Sequence, residues 1–375
     1  MRIIFAGDFF YKSGKEPIIA HEKIRKAITG CSAFILNLEG PIINENPAFI
    51  QKVGPIMHQS KGAINILKTM GITAVTLANN HIMDGDRGGI QNTISTLNTS
   101  NIEFFGFEDT FLSIEKPLIR LNSDDKALSF ISAAEEEFNG PSEFGGGALI
   151  IDPIKLWRLV TAELQKERDV IVVLHGGVEY EHFPPPWLRE ICHWLIDLGV
   201  TAVITHHPHV PGYVEIYKDK PIAWSIGNFW VSPGSNEYFW NSTGYVFELC
   251  FEGGTINWSI YPYCSDNEQG SIRELDQEEM DRWNTHITYI QGIQRDKKAY
   301  EEWWNGLIDK KCQEYQRKYS LAPCSGIVNS VISSLVSRPQ YKNRWRLQQL
   351  NGLRCRSHCE IWIQSLQKLR YNEKK

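Results

Sequence analysis

Apolar and polar positions change over in short blocks along the first two hundred residues. The apolar run Arg2–Ala6 reads as a strand, Glu16–Thr29 as a helix and Ala33–Leu38 as a second strand. Gly62–Met70 is helical, Ile72–Leu77 is a third strand, Arg87–Leu97 is helical again and Ile102–Phe105 is a fourth strand. Strand-length runs alternating with helix-length stretches predict βαβ units and a largely parallel sheet.

A second set follows. Ala127–Ser132 reads as a strand, and Pro153–Lys166 as a helix with proline at its start. Val170–Leu174 is apolar at nearly every position, as in a strand covered on both faces. Trp187–Leu198 is a helix that stops at Gly199, and Thr201–Thr205 is the next strand. Tyr213–Tyr217, Ile222–Ile226, Tyr245–Phe251 and Thr255–Tyr261 then succeed one another without helices, so an antiparallel closing sheet is expected.

The polar, glycine-containing stretch Cys264–Gly270 marks a change. Beyond it the helical candidates are Gln277–Ile290, Asp296–Tyr319 and Tyr341–Leu369. The expected organisation is an α/β domain over residues 1–265 and a helical, basic extension over residues 266–375. From residue 321 onward, ten lysines and arginines face two glutamates, a local net charge of +8. Such a tail is usually a solvated helical face; its sharper reading is a surface for an anionic polymer or an acidic membrane.

Composition narrows the class. The 375 residues, 42% of them hydrophobic, suffice for one large domain with an appendage or for two domains. A net charge of -5 and a pI near 6.1 speak against a nucleic-acid-binding protein. Eight cysteines are scattered without a CxxC pair, so neither a structural zinc site nor a disulfide framework is expected, and reduced thiols favour the cytoplasm. The N-terminal apolar run ends by Asp8, too short for a signal peptide. No stretch reaches the ~20 apolar residues of a spanning helix. A cytoplasmic protein is expected, with peripheral membrane association as the alternative that the basic tail leaves open.

The candidate chemistry lies at the strand ends. The first strand is followed by Gly7-Asp8, the second by Asn37-Leu38-Glu39-Gly40, and the third by Asn79-Asn80-His81 with Asp84 beyond. The buried strand at Val170–Leu174 is followed by His175, then Glu179 and Tyr180; the next is followed by His206-His207-Pro208-His209. In parallel α/β sheets, sites form outside the carboxyl ends of strands, so these clusters are expected in one crevice. Carboxylate, amide oxygen and imidazole together suit Mn²⁺, Fe²⁺ or Zn²⁺. Taken singly, each cluster has a plainer reading. Gly-Asp is commonly a turn, Asn80 is equally well a helix cap, and His175 alone is equally a satisfied core histidine. Glu179 and Tyr180 fit a substrate contact or a polar rim, and Asn228 fits a turn or a hydrogen bond to a ligand histidine. Five such clusters at five successive strand ends are what chance does not supply.

These segments resemble the capsule-synthesis CapA, or poly-γ-glutamate synthesis, family of the calcineurin-like metallophosphatase fold. They are GDFF from Gly7, NLEGPI from Asn37, LANNHIMDGDRGGIQNT from Leu77, HGGVEYEHFPPPWLRE from His175, THHPHVPGYVEI from Thr205 and WSIGNFW from Trp224, in the expected order over roughly residues 1–263. The resemblance implies a four-layered α/β/β/α sandwich with a helical C-terminal extension. It implies Asp8, Glu39, Asn80, His175, His207 and His209 as ligands of one or two divalent cations, with Glu39 at the bridging position. His81 is implied as the proton donor. One position departs from the wider pattern: where a histidine ligand would follow Asp8 by two residues the chain has Phe10, so three outcomes stay open for the first metal position: a weakly held metal, another group such as His206 or Glu179 in place of the histidine, or no metal at all.

The activity so implied is metal-dependent hydrolysis of the phosphoesterase type, with His81 protonating the leaving group, in synthesis or remodelling of an anionic capsule polymer. Two other readings go with the same residues: a non-catalytic metal-binding component of a capsule polymer synthesis or export complex, which Phe10 favours, and a metal-dependent enzyme acting on γ-glutamyl amide bonds.

Overall fold

The computed structural model describes residues 1–43, 48–109, 114–123, 126–140, 146–232, 238–253, 255–319 and 339–372. Apolar side chains on alternate positions of its strands face opposite ways, which is why two sheets can each be covered on both faces. In the strand Arg2–Tyr11, Ile3 and Phe5 point into a core shared with Phe130, Ile171, Val173 and Ile204 of a second sheet. Ile4 and Ala6 point the other way, toward Ile24, Ile66, Leu67, Ile90 and Ile94 on helices Glu22–Ile28, Ala63–Thr69 and Asp86–Thr99. In the strand Asp169–His175, Val170, Val172 and Leu174 face Leu156 and Val160 of helix Pro153–Leu164 and Leu188 and Leu195 of helix Pro186–Asp197. The layers are therefore helix, sheet, sheet, helix. Each large side chain buried in these interfaces contributes about 1.5–3 kcal/mol.

Among the described residues the first sheet has nine strands. Arg2–Tyr11 pairs in parallel with Ala33–Leu38 and Asn228–Ser232 and antiparallel with Thr243–Glu252. Ala74–Thr76 and Glu103–Phe105 extend one side; Thr255–Asp266, Ser271–Glu274 and Ile18–Ile19 extend the other. The second sheet has six strands, with Asp169–His175 parallel to both Ala127–Ala134 and Ala202–His206. Phe107–Asp109, Ile114–Lys116 and Gly146–Ala148 make a small third sheet.

Several expectations are corrected. The parallel units belong to two sheets. The expected closing sheet does not exist as one body: Val214–Tyr217 and Lys220–Ala223 complete the six-stranded sheet, while Thr243–Glu252 and Thr255–Asp266 belong to the nine-stranded one. Periodicity cannot tell which of two stacked sheets an antiparallel hairpin joins. The helix expected from Glu16 starts at Glu22, because Ile18–Ile19 is drawn onto the sheet edge beside Ser271–Ile272 and His21 caps the helix from Nδ1 to the Ile24 N–H. The helix expected over Tyr341–Leu369 is two, Pro339–Arg354 and Arg356–Asn372. The break falls at Cys355, where the Ser357 N–H and hydroxyl both donate to the buried Glu135 carboxylate.

The C-terminal helices are seated on the sandwich. Trp283 of Gln277–Arg295 enters the core between the sheets, and Ile290 and Tyr300 join the outer helical layer. Trp304, Leu307, Ile308 and Ile361 close around Val178, three residues past the end of a central strand. The described cysteines are free thiols. Among the described residues, no helix is long and apolar enough to cross a membrane.

The strand Arg2–Tyr11 runs past the expected end at Ala6 because Gly7 lets the chain at Gly227 come close. A Cβ on Gly7 would lie 1.9 Å from the Gly227 carbonyl oxygen, and Gly227 itself adopts φ +78°. Gly7→Ala is therefore expected to lower the melting temperature by an overpacking cost of about 1–3 kcal/mol. Gly292→Ala, where an added Cβ meets nothing within 4 Å on a helix, is expected to raise it slightly. Calorimetric scans of the two variants check this, and equal melting temperatures would contradict it.

Candidate metal centre

Register brings the polar residues together. Asp8 lies between Asn37 and Asn228 on its two parallel neighbours, at a register irregularity that bends the strand. In the other sheet His175 is level with His206. The carboxyl ends of both sheets thus open on one edge, as expected for sites in α/β proteins.

Two donor clusters form there. In the first, Asp8, Glu39 and His209 each offer a ligand atom, all within 4.8 Å of one another. His209 Nδ1 is 2.9 Å from Asn228 Oδ1, and the Asn228 amide donates to the Asn241 carbonyl, which orients it as an acceptor. His209 Nε2 is left facing Glu39 Oε1 at 3.6 Å. His206 Nδ1 stands 3.0 Å from Asp8 Oδ1. In the second cluster, His175 Nε2 is 3.2 Å from His207 Nδ1 and 3.1 Å from Asn80 Oδ1. Donor atoms bonded to one cation at ~2.0–2.2 Å stand about 3.0–3.6 Å apart, so both separations fit a shared ion. Between the clusters lies Asn37, whose amide donates to Asp8 Oδ1 at 2.8 Å and approaches His175 Nδ1 at 3.3 Å.

The backbone bears strain to achieve this. His207 has φ +100° and His209 φ +61°, both left-handed without being glycine. Such residues cost about 1–3 kcal/mol each and persist where the surroundings hold them. Here Pro208 between them stiffens the turn that sends one imidazole to each cluster.

Electrostatics sharpens the picture. Both Glu39 oxygens are buried without a hydrogen-bond donor, a costly arrangement for a carboxylate and a good one for a cation ligand. Burial pushes the Glu39 carboxyl up to about 7, with Asp8 adding to it and His209 opposing. Burial would raise Asp8 as well, but its contacts with His206 and His209 hold it well below the usual carboxylate range. Burial pushes His175 well below the usual imidazole value, with His207 adding to it, and burial lowers His207 also. Both are thus neutral imidazoles, the form that binds metal. His209 moves the other way: burial opposes its charge, but Glu39 and Asp8 raise it well above the usual value.

The remaining sequence candidates fall around these clusters. Asn80 caps no helix; the following helix Asp86–Thr99 is preceded by Gly85, and the Asn80 amide is held by Glu137 at 2.9 Å so that Oδ1 faces His175. His81 turns away from Asn80, its Nδ1 lying 2.7 Å from Asp84 Oδ2. Asp84 is not aimed at either cluster; its carboxylate is taken by His81, Lys52 and the Met57 N–H. Glu179 and Tyr180 are exposed and line the cavities beside both clusters, with the Tyr180 ring 6.1 Å from that of His209. Phe10 is buried in its strand opposite Val231. Sequence reasoning left Asn37 unassigned, although it stands near the end of its strand, two residues before Glu39. Lys52 and Glu137 carried no motif and reach the site only through the fold.

The raised Glu39 carboxyl has a consequence for stability. The unfolded chain releases this proton near its ordinary value of 4.5, whereas the fold keeps it to about 7, so this group makes stability fall as pH rises between the two. In chelator-treated protein, Glu39→Gln is expected to raise the melting temperature clearly at pH 8 and much less at pH 5. Added Mn²⁺ is expected to stabilise the wild type more than the variant. Thermal scans at both pH values check it; an equal effect of Glu39→Gln at pH 5 and pH 8 would contradict the assignment.

The chain is similar to several known proteins. The Capsule biosynthesis protein CapA of Bacillus anthracis is 26% identical over 201 residues, 52% of this chain and 49% of that protein. The PGA biosynthesis protein CapA of Bacillus subtilis is 26% identical over 176 residues, 46% of each. The chain spans about half the length of these relatives. A solved structure of a novel phosphatase from Mycoplasma pneumoniae aligns with 72% of this chain and 95% of its own, at 17% identity and a TM-score of 0.46. Residues 2–232, which carry both donor clusters, match the family of the bacterial capsule synthesis protein PGA_cap, and the chain belongs to that family.

Proposed function

We propose that the chain is a metal-dependent hydrolase of the phosphoesterase type that acts on a phosphoester or an anionic polymer in capsule synthesis. The observation that carries this reading is the pair of adjacent donor clusters joined by Asn37. Asp8, Glu39 and His209 would hold one divalent cation, with His206 beside Asp8 taking the part that Phe10 cannot. Asn80, His175 and His207 would hold a second. Divalent cations such as Mn²⁺, Fe²⁺ or Zn²⁺ at these positions supply Lewis acidity and acidify water.

The chain's own residues account for the rest. Glu137 holds the Asn80 amide, and Asn228 holds the His209 ring, so both ligand groups face their clusters without searching rotamers. His81 borders the cavities on both clusters. With Nδ1 on Asp84, it presents Nε2 for a proton to pass to a leaving-group oxygen, and the Asp84 carboxylate steadies the imidazole in that orientation. Lys52, 2.7 Å from Asp84, and the Met57 N–H at 2.8 Å keep Asp84 in place. A second reading, a metal-supported but non-catalytic component of a polymer synthesis complex, is favoured by Phe10, which leaves the first cluster without a ligand from that strand position.

The separate directions of Asn80 and His81 allow a decisive test. His81→Ala is expected to keep metal content and melting temperature near wild type while turnover falls by roughly 10²–10⁴. Asn80→Ala is expected to lose both metal and turnover. Elemental analysis and assays with phosphomonoesters, phosphodiesters and γ-glutamyl peptides check this. Metal lost equally in both variants would refute the roles. A metal-loaded wild type inert on every substrate class would replace the hydrolase with the non-catalytic component.

A further inference from the structure

The cavity above the second cluster has a volume of about 380 Å³ and is bordered from two parts of the chain. Asn80, His81 and His207 line it on one side; Lys311, Arg344 and Asn351 line it on the other. The first three lie inside the family match, which ends at residue 232, and the others lie in the C-terminal helices beyond it. We propose that these helices complete the substrate pocket, and that Arg344 binds an oxyanion of the substrate at a distance from the metal-ligand clusters.

The wall is held in place by two independent contacts. One is polar: the buried Glu135 carboxylate accepts the Ser357 N–H, the Ser357 hydroxyl at 3.0 Å and the Gly177 N–H at 3.1 Å, which ties the last helix to the loop after His175. The other is apolar: Val178 packs against Ile308 and Ile361. A wall so fixed keeps its side chains at a set distance from Asn80 and His207.

Among the cations on this cavity, Arg344 stands apart. The Lys52 ammonium is buried against Asp84 at 2.7 Å, and Lys311 faces Glu314 at 3.7 Å. Arg344 is exposed on helix Pro339–Arg354 and has no ion-pair partner among the described residues. A guanidinium presents a planar fork that matches two oxygens of a phosphate or carboxylate group, and such charge-assisted pairs are the strong ones. A substrate with one group at the donor clusters and a second oxyanion across the cavity would meet both. The inference rests on the proposed function in taking the clusters as the reacting end.

Calorimetric titration of Mn²⁺-loaded full-length protein tests this with orthophosphate, tripolyphosphate and tri-γ-glutamate as probes. Arg344→Ala is expected to weaken one polyanion about tenfold, with orthophosphate affinity and metal content unchanged; Arg344→Lys should fall between, and Arg158→Ala, on an exposed helix face outside the cavity lining, should match wild type. Dependence with tripolyphosphate identifies a phosphate source for the oxyanion, and dependence with tri-γ-glutamate a carboxylate source. Wild-type affinity in Arg344→Ala, or a wild type that binds neither polyanion, overturns the inference. Loss of orthophosphate binding in wild type, with an Arg344-dependent polyanion still bound, would instead count against the proposed function alone.

Discussion

Two carboxylates buried beside each other, Asp8 and Glu39, set the terms for the groups around them. Like charges out of water oppose each other and lose hydration, so such a pair persists only when cations or protons answer it. Asp8 is answered by His206 and His209; Glu39 has no hydrogen-bond donor and keeps its proton to about 7. His209 is held charged by the same two carboxylates. The cluster is thus an electrostatic demand for positive charge, and the fold bears backbone strain at His207 and His209 to build it.

The two clusters differ in how they are built. The first is ionic, with carboxylates and a raised imidazole. The second is made of neutral donors, with His175 and His207 lowered by burial and Asn80 offering an amide oxygen. Asn37 between them carries no charge of its own. His81 borders the cavities beside both clusters, so it is reachable from either side.

The C-terminal helices change the meaning of that edge. Glu135, one residue beyond the strand Ala127–Ala134, is buried, and its carboxylate caps the last helix through Ser357. Two residues on, Glu137 positions Asn80. A single short loop thus serves both the docking of the helices and the second cluster. A change in the helices that shifts this loop has a direct mechanical route to the Asn80 amide, because each contact on that route is a hydrogen bond to a carboxylate, which is strong and directional.

Much of this was legible in the chain. The apolar runs Ala33–Leu38 and Val170–Leu174 place central strands because burial on both faces demands apolar residues throughout. Pro153 at the start of one helix and Gly199 after the helix Pro186–Asp197 mark helix ends by backbone restriction and backbone freedom alone. The polar clusters after successive strands announced one site, since carboxyl ends of parallel strands share an edge. What remained hidden depends on contacts between residues far apart in sequence. That the strand Arg2–Tyr11 continues through Asp8 follows from the approach of Gly227 to Gly7, and the division of the late strands between two sheets follows from which core each hairpin covers. Lys52, Glu135 and Glu137 have no local pattern, and their roles exist only because the fold sets them against Asp84, Ser357 and Asn80. By itself the sequence determined which residue types could bind metal and near which strand ends they sit, because those depend on side-chain chemistry and short-range periodicity. Only the tertiary structure decided which donors share a point in space, which way each amide and imidazole faces, and that the C-terminal helices wall the cavity, because these depend on packing between elements that no local pattern encodes.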